Sequence, residues 1–256
     1  NKWINAMNKN DLKYFVQPSI DNWNDFYSTQ MTYDNADQFL PLGKKKGALG
    51  MTQCLWTDAM VTLTRPSLVQ IAYTAAGSWQ KDNPDKNRFV EQYSFQHYDD
   101  SEYRNGMIKA LNKIQESNDY LSKVFPSASQ NEAWVDPFRE YFLKKVRDNK
   151  TELQKSRLAA EEALEALIIL ARKYPEDPMV QSMNVICRMM EYTSMRALFA
   201  EYIHTRWTSP EEKGKYQGFF LYYDLAGHCH SKATDLIDYF SELKYDYEKA
   251  YMNEYT

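Results

Sequence analysis

Several features that mark other protein classes are scarce in this chain of 256 residues. It contains 8 glycines, whereas an average chain of this length has roughly 18. Its longest unbroken apolar run, Ala166 to Ala171, is far shorter than the roughly 20 residues that a membrane-spanning helix needs. The sequence therefore predicts no membrane span. The length suits a complete (β/α)8 barrel, but such a barrel has many tight turns, so the low glycine content favours helices instead.

The chain also lacks an excess of one charge sign and has few cysteines. It has 31 Lys and Arg against 35 Asp and Glu, which gives a net charge of −4. Nucleic-acid binders normally carry a basic patch or stripe, so no nucleic-acid partner is predicted. Cys54, Cys187 and Cys229 are too few and too scattered for a disulfide framework or a zinc ribbon. We therefore predict no metal site and no cofactor, and the cysteines do not indicate a compartment.

A metal site at His228, Cys229 and His230 is the one arrangement that needs separate consideration. The three residues are consecutive, but alternate residues of a helix point to different faces. No further ligand stands at a recognisable zinc spacing. We interpret these residues as ordinary parts of a helix surface and core.

Hydrophobic material is nevertheless sufficient for a folded core, since 43% of the residues are hydrophobic and 26% are charged. Two β-like segments occur in the first 80 residues, at about 13–18 and 49–56. Between them a short helix is predicted over Asn35 to Leu40, which Pro41 and Gly43 bring to an end. A further helix begins at Pro66. This alternation of strand and helix is typical of parallel α/β architectures.

The remainder of the chain reads as consecutive helices. The breaks between them are short and fall near residues 99–100, 126–129, 175–178 and 208–210. The two helices on either side of the third break look long enough to pack antiparallel. The change in character near residues 81–87 is the best domain boundary, so we predict one domain over residues 1–82 and a helical domain over residues 83–256.

The end of the second predicted strand contains the first candidate site. Trp56 and Asp58 are two residues apart there, and side chains at the carboxyl ends of parallel barrel strands point into the active-site mouth. An indole covers the apolar face of a pyranose, and a carboxylate accepts hydrogen bonds from its hydroxyls. A second interpretation stays open, in which Trp56 is a core aromatic residue and Asp58 caps a helix or a turn.

The segment after the first predicted strand contains the second candidate site. Asn22 and Trp23 lie at the corresponding position of the neighbouring strand, so both segments would share one rim of the sheet. Here too a structural alternative stays open, since the segment is also typical of an Asx-rich connecting loop with Trp23 packed beneath it. No catalytic residue is predicted, because the chain contains no Asp-Glu dipeptide and no motif that presents two acid groups together.

Several segments together resemble bacterial family 20 glycoside hydrolases, the β-N-acetylhexosaminidases. The most specific are Leu-Trp-Thr-Asp at residues 55–58 and Tyr-Thr-Ala-Ala-Gly-Ser-Trp-Gln at residues 73–80, supported by Phe-Val-Gln-Pro-Ser-Ile-Asp-Asn-Trp at residues 15–23. The segments at 131–138 and 157–163 look like the helical domain that follows the barrel in one branch of the family. The resemblance covers most of the chain.

The resemblance implies that residues 13–18 and 49–56 are the seventh and eighth strands of a (β/α)8 barrel, and that the fold is mainly α, with this barrel tail followed by helices. It implies substrate-assisted retaining hydrolysis by an Asp-Glu pair on the fourth strand, upstream of this sequence. Trp56 matches the tryptophan that floors the sugar pocket. Asp58 matches an acidic position that is more commonly Glu, and Asn22 or Trp23 stands where many members have a tyrosine.

These observations predict a carboxyl-terminal part of an enzyme that removes terminal N-acetylhexosamine from glycans, inactive as this chain alone. The partner is then a glycan that contains N-acetylhexosamine, and a periplasmic or extracellular location follows from the resemblance. Two alternatives stay open: a self-contained helical binding module without catalysis, and a family member that has lost activity. The tyrosine-rich segment from Tyr239 to Tyr251 serves either packing or a dimer surface, so a homo-oligomer stays among the candidate partners.

Overall fold

The computed structural model describes residues 2–22, 25–57, 63–126, 129–208, 223, 225 and 231–255. In this part of the chain the fold is mainly helical, with four short strands near the amino end. The elements, in chain order, are α1 (Lys2–Lys9), β1 (Phe15–Val16), β2 (Ser19–Asp21), α2 (Thr29–Lys46), β3 (Gly50–Met51), β4 (Cys54–Trp56), α3 (Ser67–Trp79), α4 (Lys86–His97), α5 (Ser101–Val124), α6 (Ser129–Glu132), α7 (Glu140–Asp148), α8 (Lys150–Lys173), α9 (Pro178–Thr208) and α10 (Lys232–Tyr255).

The four strands form one parallel β-α-β arrangement. β1 pairs with β3 and β2 pairs with β4, both in parallel. The register is the same in both pairs, with Phe15 opposite Gly50 and Asp21 opposite Trp56, so each partner is 35 residues further along the chain. Pro18 lies between β1 and β2 and has no N–H to donate, but its carbonyl oxygen accepts a hydrogen bond from the Cys54 N–H at 3.0 Å. The predicted first strand therefore continues past Pro18.

Helix α2 is the crossover between the paired strands, and its observed length corrects the prediction of a short helix over residues 35–40. The helix continues through both Pro41 and Gly43 to Lys46. Gly43 is buried, and a Cβ atom there would lie 2.9 Å from the methyl groups of Val16, so glycine lets the helix approach the strand. The helix ends at Gly47, whose φ of +79° favours glycine. Tertiary packing has outweighed the local helix-breaking signals.

The carboxyl-terminal part is a layer of four long antiparallel helices. Two contacts along each pair of neighbours show their direction. Lys113 of α5 meets Glu162 of α8 at 2.6 Å, whereas Lys123, further along α5, meets Glu152, nearer the start of α8, at 3.6 Å. The same reversed order relates α8 to α9 and α9 to α10, as in the contacts Lys150–Glu201 and Ser156–Ser194, and Arg188–Glu242 and Gln181–Asn253. The predicted antiparallel packing of α8 and α9 through a short connection is observed.

The buried core is continuous between these helices and the β-α-β arrangement. Tyr33 of α2, Tyr73 of α3 and Phe89 of α4 form an aromatic cluster, in which the first two rings stack with centroids 3.9 Å apart. At the other end of the chain, the Glu254 carboxylate accepts a hydrogen bond from the Arg65 N–H at 3.1 Å. Contacts therefore cross the predicted boundary at residues 82 and 83 in both places.

Candidate functional site

The carboxyl-terminal edge of the strands is the part of the molecule where the sequence predicts a site. Asp21 and Trp56 are the last residues of β2 and β4 and lie opposite each other in the parallel register. Trp56 is 49% exposed, so a large part of its side chain is accessible at this edge. In open and closed parallel sheets, ligands bind at the carboxyl ends of the strands.

Asn22 follows β2 and holds this edge together. Its side chain is 2% exposed and donates hydrogen bonds to the Ser67 hydroxyl at 2.9 Å and to the Gln70 side-chain carbonyl at 2.7 Å. Its side-chain carbonyl oxygen accepts a hydrogen bond from the Ser28 N–H at 2.9 Å. Its backbone N–H donates a hydrogen bond to the Trp56 backbone carbonyl oxygen at 3.2 Å. Asn22 thus connects both strand ends to the first turns of α2 and α3.

Of the four predicted binding residues, the structure brings two together at this edge. Trp56 presents an accessible side chain, whereas the Asn22 amide is buried and hydrogen-bonded within the protein. Trp23 and Asp58 lie outside the described residues, as do His228, Cys229 and His230. Among the residues that the structure describes, no group of three or more His, Cys, Asp or Glu side chains is arranged to hold a metal ion.

A polar cleft of ≈400 Å³ lies beside this edge. Three elements line it: the segment after β2, the first turns of α2, and the last two turns of α5. Its hydrogen-bonding side chains include those of Asp25, Ser28, Gln30, Asn118, Asp119 and Ser122. We refer to this feature as the α2/α5 cleft.

Hydrogen bonds through Asn22 connect the wall of the α2/α5 cleft to the strand edge. Ser28 lines the cleft, and its N–H donates to the Asn22 side chain. On the other wall, the Asn118 side-chain carbonyl accepts a hydrogen bond from the Tyr27 N–H at 3.4 Å. Two hydrogen bonds, through Asn22, therefore separate the Trp56 backbone from the cleft wall.

Asp119 is the titratable group in the cleft with the most unusual environment. Partial burial raises the pKa of its carboxyl group to about 6, and the charge of Glu116 adds to the shift, while Lys123 opposes it. Asp34, on the facing wall, differs because the Lys86 ammonium lies 2.6 Å away and lowers the pKa of that carboxyl group. A raised carboxyl pKa in a cleft is typical of a functional site.

The Asp119 carboxyl group is expected to make the protein less stable as the pH rises from about 4 to 6. Its pKa is higher in the folded protein than in the unfolded chain, where an Asp has a pKa of about 3.9. Between these values the folded state binds more protons, so the free energy of unfolding falls as the pH rises. Asp119→Asn removes this effect, and we expect the variant to gain stability relative to wild type between pH 4 and pH 7.

Urea unfolding at four pH values between 4 and 7 measures this difference. The neighbouring carboxylates Asp25 and Asp34 and the Lys123 ammonium are unchanged in the variant, so their titration cancels in the comparison. Asp238→Asn, at an exposed position of α10, is the matched control. If both variants follow the wild-type pH dependence in parallel, the assignment of the raised pKa to Asp119 is wrong.

The sequence analysis did not identify the α5 residues of the cleft, although a signal is present. Met107, Ile114 and Leu121 recur every seven residues and are fully buried, which is the spacing of a core-facing helix stripe. Ser117 and Asn118 are polar but lie on the same face and are also buried. Polar residues on an otherwise apolar helix face indicate a specific hydrogen-bonding role.

A second cavity, with a volume of ≈460 Å³, lies between α8, α9 and α10. Its lining is largely apolar and includes Leu198, Phe199 and Leu236, and its charged groups are those of Arg157, Lys232 and Asp235. Lys232 lies 4.0 Å from the centroid of the Tyr202 ring. The described residues that line this cavity all belong to α8, α9 and α10.

Comparisons of the chain with protein-family models, with curated proteins and with solved structures gave no match. Within the described part of the chain, no helix combines the length and apolar character that crossing a membrane requires.

Proposed function

We propose that residues 1–82 supply the last two strand-helix units of a (β/α)8 barrel, within an enzyme that removes terminal N-acetylhexosamine from glycans. The observation that carries the proposal is the parallel pairing of Asp21 with Trp56, which puts a half-exposed indole at the carboxyl edge of two neighbouring strands. An indole in this position can cover the apolar face of a sugar ring. In this proposal the chain binds the sugar, and the acidic catalytic pair belongs to sequence outside these 256 residues.

The burial pattern along the first strand supports a barrel wall. Val16 and Ile20 are 7% and 0% exposed, whereas Phe15 on the other face of the strand is 58% exposed. Alternate residues of a strand face opposite sides, so one side packs on α2 and α3 and the other is open. In a barrel the open side faces the interior, and further strands cover both edges.

Trp56→Ala is expected to lower the affinity of the chain for N-acetylglucosamine at least tenfold, because the variant loses the apolar platform for the sugar ring. Isothermal titration calorimetry measures the affinity of both chains, and the Trp56 indole N–H signal in an NMR titration of the wild-type chain labelled with ¹⁵N-tryptophan locates the bound sugar. Trp79→Ala is the matched control, since Trp79 is 91% exposed and lies at the far end of α3, roughly 20 Å from its first residue. Equal sugar affinity in wild type and Trp56→Ala would contradict the proposal.

A helical binding module without catalysis is the second candidate function. The cavity of ≈460 Å³ between α8, α9 and α10 favours it, because this cavity needs no contribution from the strands. Its apolar floor and its charged side chains of both signs, Arg157, Lys232 and Asp235, suit a ligand with an apolar body and a polar end. The same sugar titration separates the two functions, since this module leaves the Trp56 signal unchanged.

A further inference from the structure

The wall of the α2/α5 cleft contains a hydroxyl group, that of Ser28, which the protein itself does not use. Ser28 is 3% exposed and stands at the N-cap of α2, yet its side chain makes no capping hydrogen bond. Its backbone N–H donates to Asn22, and its carbonyl oxygen accepts from Thr32. No described residue bonds the Ser28 hydroxyl. Because Ser28 is almost completely buried apart from the cleft that it lines, its unpartnered hydroxyl is available to a ligand in that cleft.

The opposite wall of the cleft contains a carboxyl group, that of Asp119, which also lacks a partner among the described residues. Asp119 forms no ion pair or hydrogen bond with the described residues, although it is half-buried. The two other carboxylates that line the cleft are occupied. Asp34 pairs with Lys86 and accepts a hydrogen bond from Gln30 at 2.9 Å, and Asp25 also has an interaction of its own. The cleft therefore offers one free acceptor group and one free hydroxyl group on facing walls.

These groups suit a neutral ligand rich in hydroxyl groups. A carboxylate accepts hydrogen bonds from hydroxyls, and a serine hydroxyl both donates and accepts. Met31 and Pro126 also line the cleft and provide apolar contact for C–H groups. The volume of ≈400 Å³ lies within the range of small-molecule sites, roughly 300–1,000 Å³.

We propose that the α2/α5 cleft binds the second sugar of a glycan whose terminal N-acetylhexosamine lies against Trp56, with Ser28 and Asp119 hydrogen-bonded to its hydroxyls. The proposal rests on the proposed function. Its structural basis is the chain of two hydrogen bonds from the Trp56 carbonyl oxygen through Asn22 to the Ser28 N–H, which links the wall of the cleft to the end of β4. The helical part of the chain thereby contributes directly to glycan recognition.

The test is an NMR titration of the full chain with two probes, N-acetylglucosamine and its β-1,4-linked dimer, N,N′-diacetylchitobiose. We expect the monosaccharide to shift the Trp56 indole signal alone, and the disaccharide to shift this signal together with the backbone signals of Ser28, Asn118 and Asp119. The disaccharide is expected to bind at least tenfold more tightly, as charged hydrogen bonds contribute on this scale.

Asp119→Asn and Ser28→Ala are expected to remove most of the advantage of the disaccharide and to leave monosaccharide affinity unchanged. Asp238→Asn is the control and should behave as wild type. The pH gives a second readout, because the preference for the disaccharide should decline in wild type as Asp119 becomes protonated below about pH 6. It should stay constant in Asp119→Asn, and a purely structural role for Asp119 would not produce this difference.

The outcomes separate the two proposals. If both sugars shift only the Trp56 signal, the cleft proposal is overturned and the proposed function stands. If the disaccharide shifts the cleft signals but neither sugar shifts Trp56, the cleft is a saccharide site and the proposed function fails. If neither region responds to either sugar, both proposals are overturned.

Discussion

Tyr73→Ala is expected to lower the free energy of unfolding by about 4 kcal/mol, as truncation of a buried aromatic side chain leaves a large cavity. Tyr73 is fully buried, with its ring stacked on Tyr33 and edge-on to Phe89 at a centroid distance of 5.0 Å. Its hydroxyl donates a hydrogen bond to the Asp37 carboxylate at 2.9 Å. The variant therefore loses both apolar packing and a hydrogen bond at the point where α2, α3 and α4 meet.

Urea unfolding followed by circular dichroism measures this loss. Tyr245→Ala is the matched control, because Tyr245 is 69% exposed on α10, and its effect should be below about 0.5 kcal/mol. Tyr73→Phe separates the hydrogen bond from the packing. A loss below about 1 kcal/mol in Tyr73→Ala would contradict the central role of this cluster.

The number of transitions in the urea unfolding curve tests the predicted domain boundary at residues 82 and 83. The Tyr73 cluster joins residues on both sides of it, and Glu254 of α10 contacts the segment before α3. If these contacts couple the two parts, Tyr73→Ala shifts one cooperative transition. Two separate transitions, of which the variant moves only one, would instead support two independent domains.

Asn22→Ala is expected to lower the free energy of unfolding by about 3 kcal/mol. The change removes the partners of the Ser67 hydroxyl, the Gln70 side-chain carbonyl and the Ser28 N–H. Ser67 and Gln70 are completely buried, so water cannot easily replace the lost bonds. Each buried polar group that is left without a partner costs roughly 1–3 kcal/mol.

The measurement is again urea unfolding, combined with the sugar titration. Asn22→Asp keeps the acceptor for the Ser28 N–H but puts a buried carboxylate opposite the Gln70 side-chain carbonyl, so a loss at least as large as in Asn22→Ala is expected. Asn105→Ala, at an exposed position of α5, is the control and should change stability little. If Asn22→Ala proves as stable as this control, the buried hydrogen bonds of Asn22 do not hold the strand edge.

Asn22 and Trp56, both predicted to bind the sugar, have different roles in the structure. The Asn22 side chain is engaged with Ser67, Gln70 and Ser28, so it acts on a ligand only through the position of its neighbours. Trp56, by contrast, has an accessible side chain at the same edge. We therefore expect Asn22 substitutions to affect stability more than sugar contact, and Trp56 substitutions to do the reverse.

Local sequence patterns were sufficient for three of the four strands and for several helix ends. Residues 13–18 contain β1 and residues 49–56 contain β3 and β4, whereas β2 lies beyond the predicted end at Pro18. The predicted breaks near residues 99–100 and 175–178 separate observed helices, but the break between α7 and α8 was not predicted. These features depend on neighbouring residues, such as a proline that cannot donate or an apolar stripe of helical period. The predicted end of α2 at residue 40 was wrong. Glycine at position 43 serves the close packing of the helix against Val16, a residue 27 positions earlier, and a local pattern does not show that contact.

The sequence by itself determined that this protein is mainly helical, that two strand-like segments flank a helix near its amino end, and that Trp56 ends the second of them. Only the tertiary structure decided that Asn22 is buried and that Asp119 faces Ser28 across a cleft. Tyr27 and Asn118 meet although 91 residues separate them. Such contacts depend on how α2, α3 and α5 pack as whole elements, and the local spacing of residues carries no information about that packing.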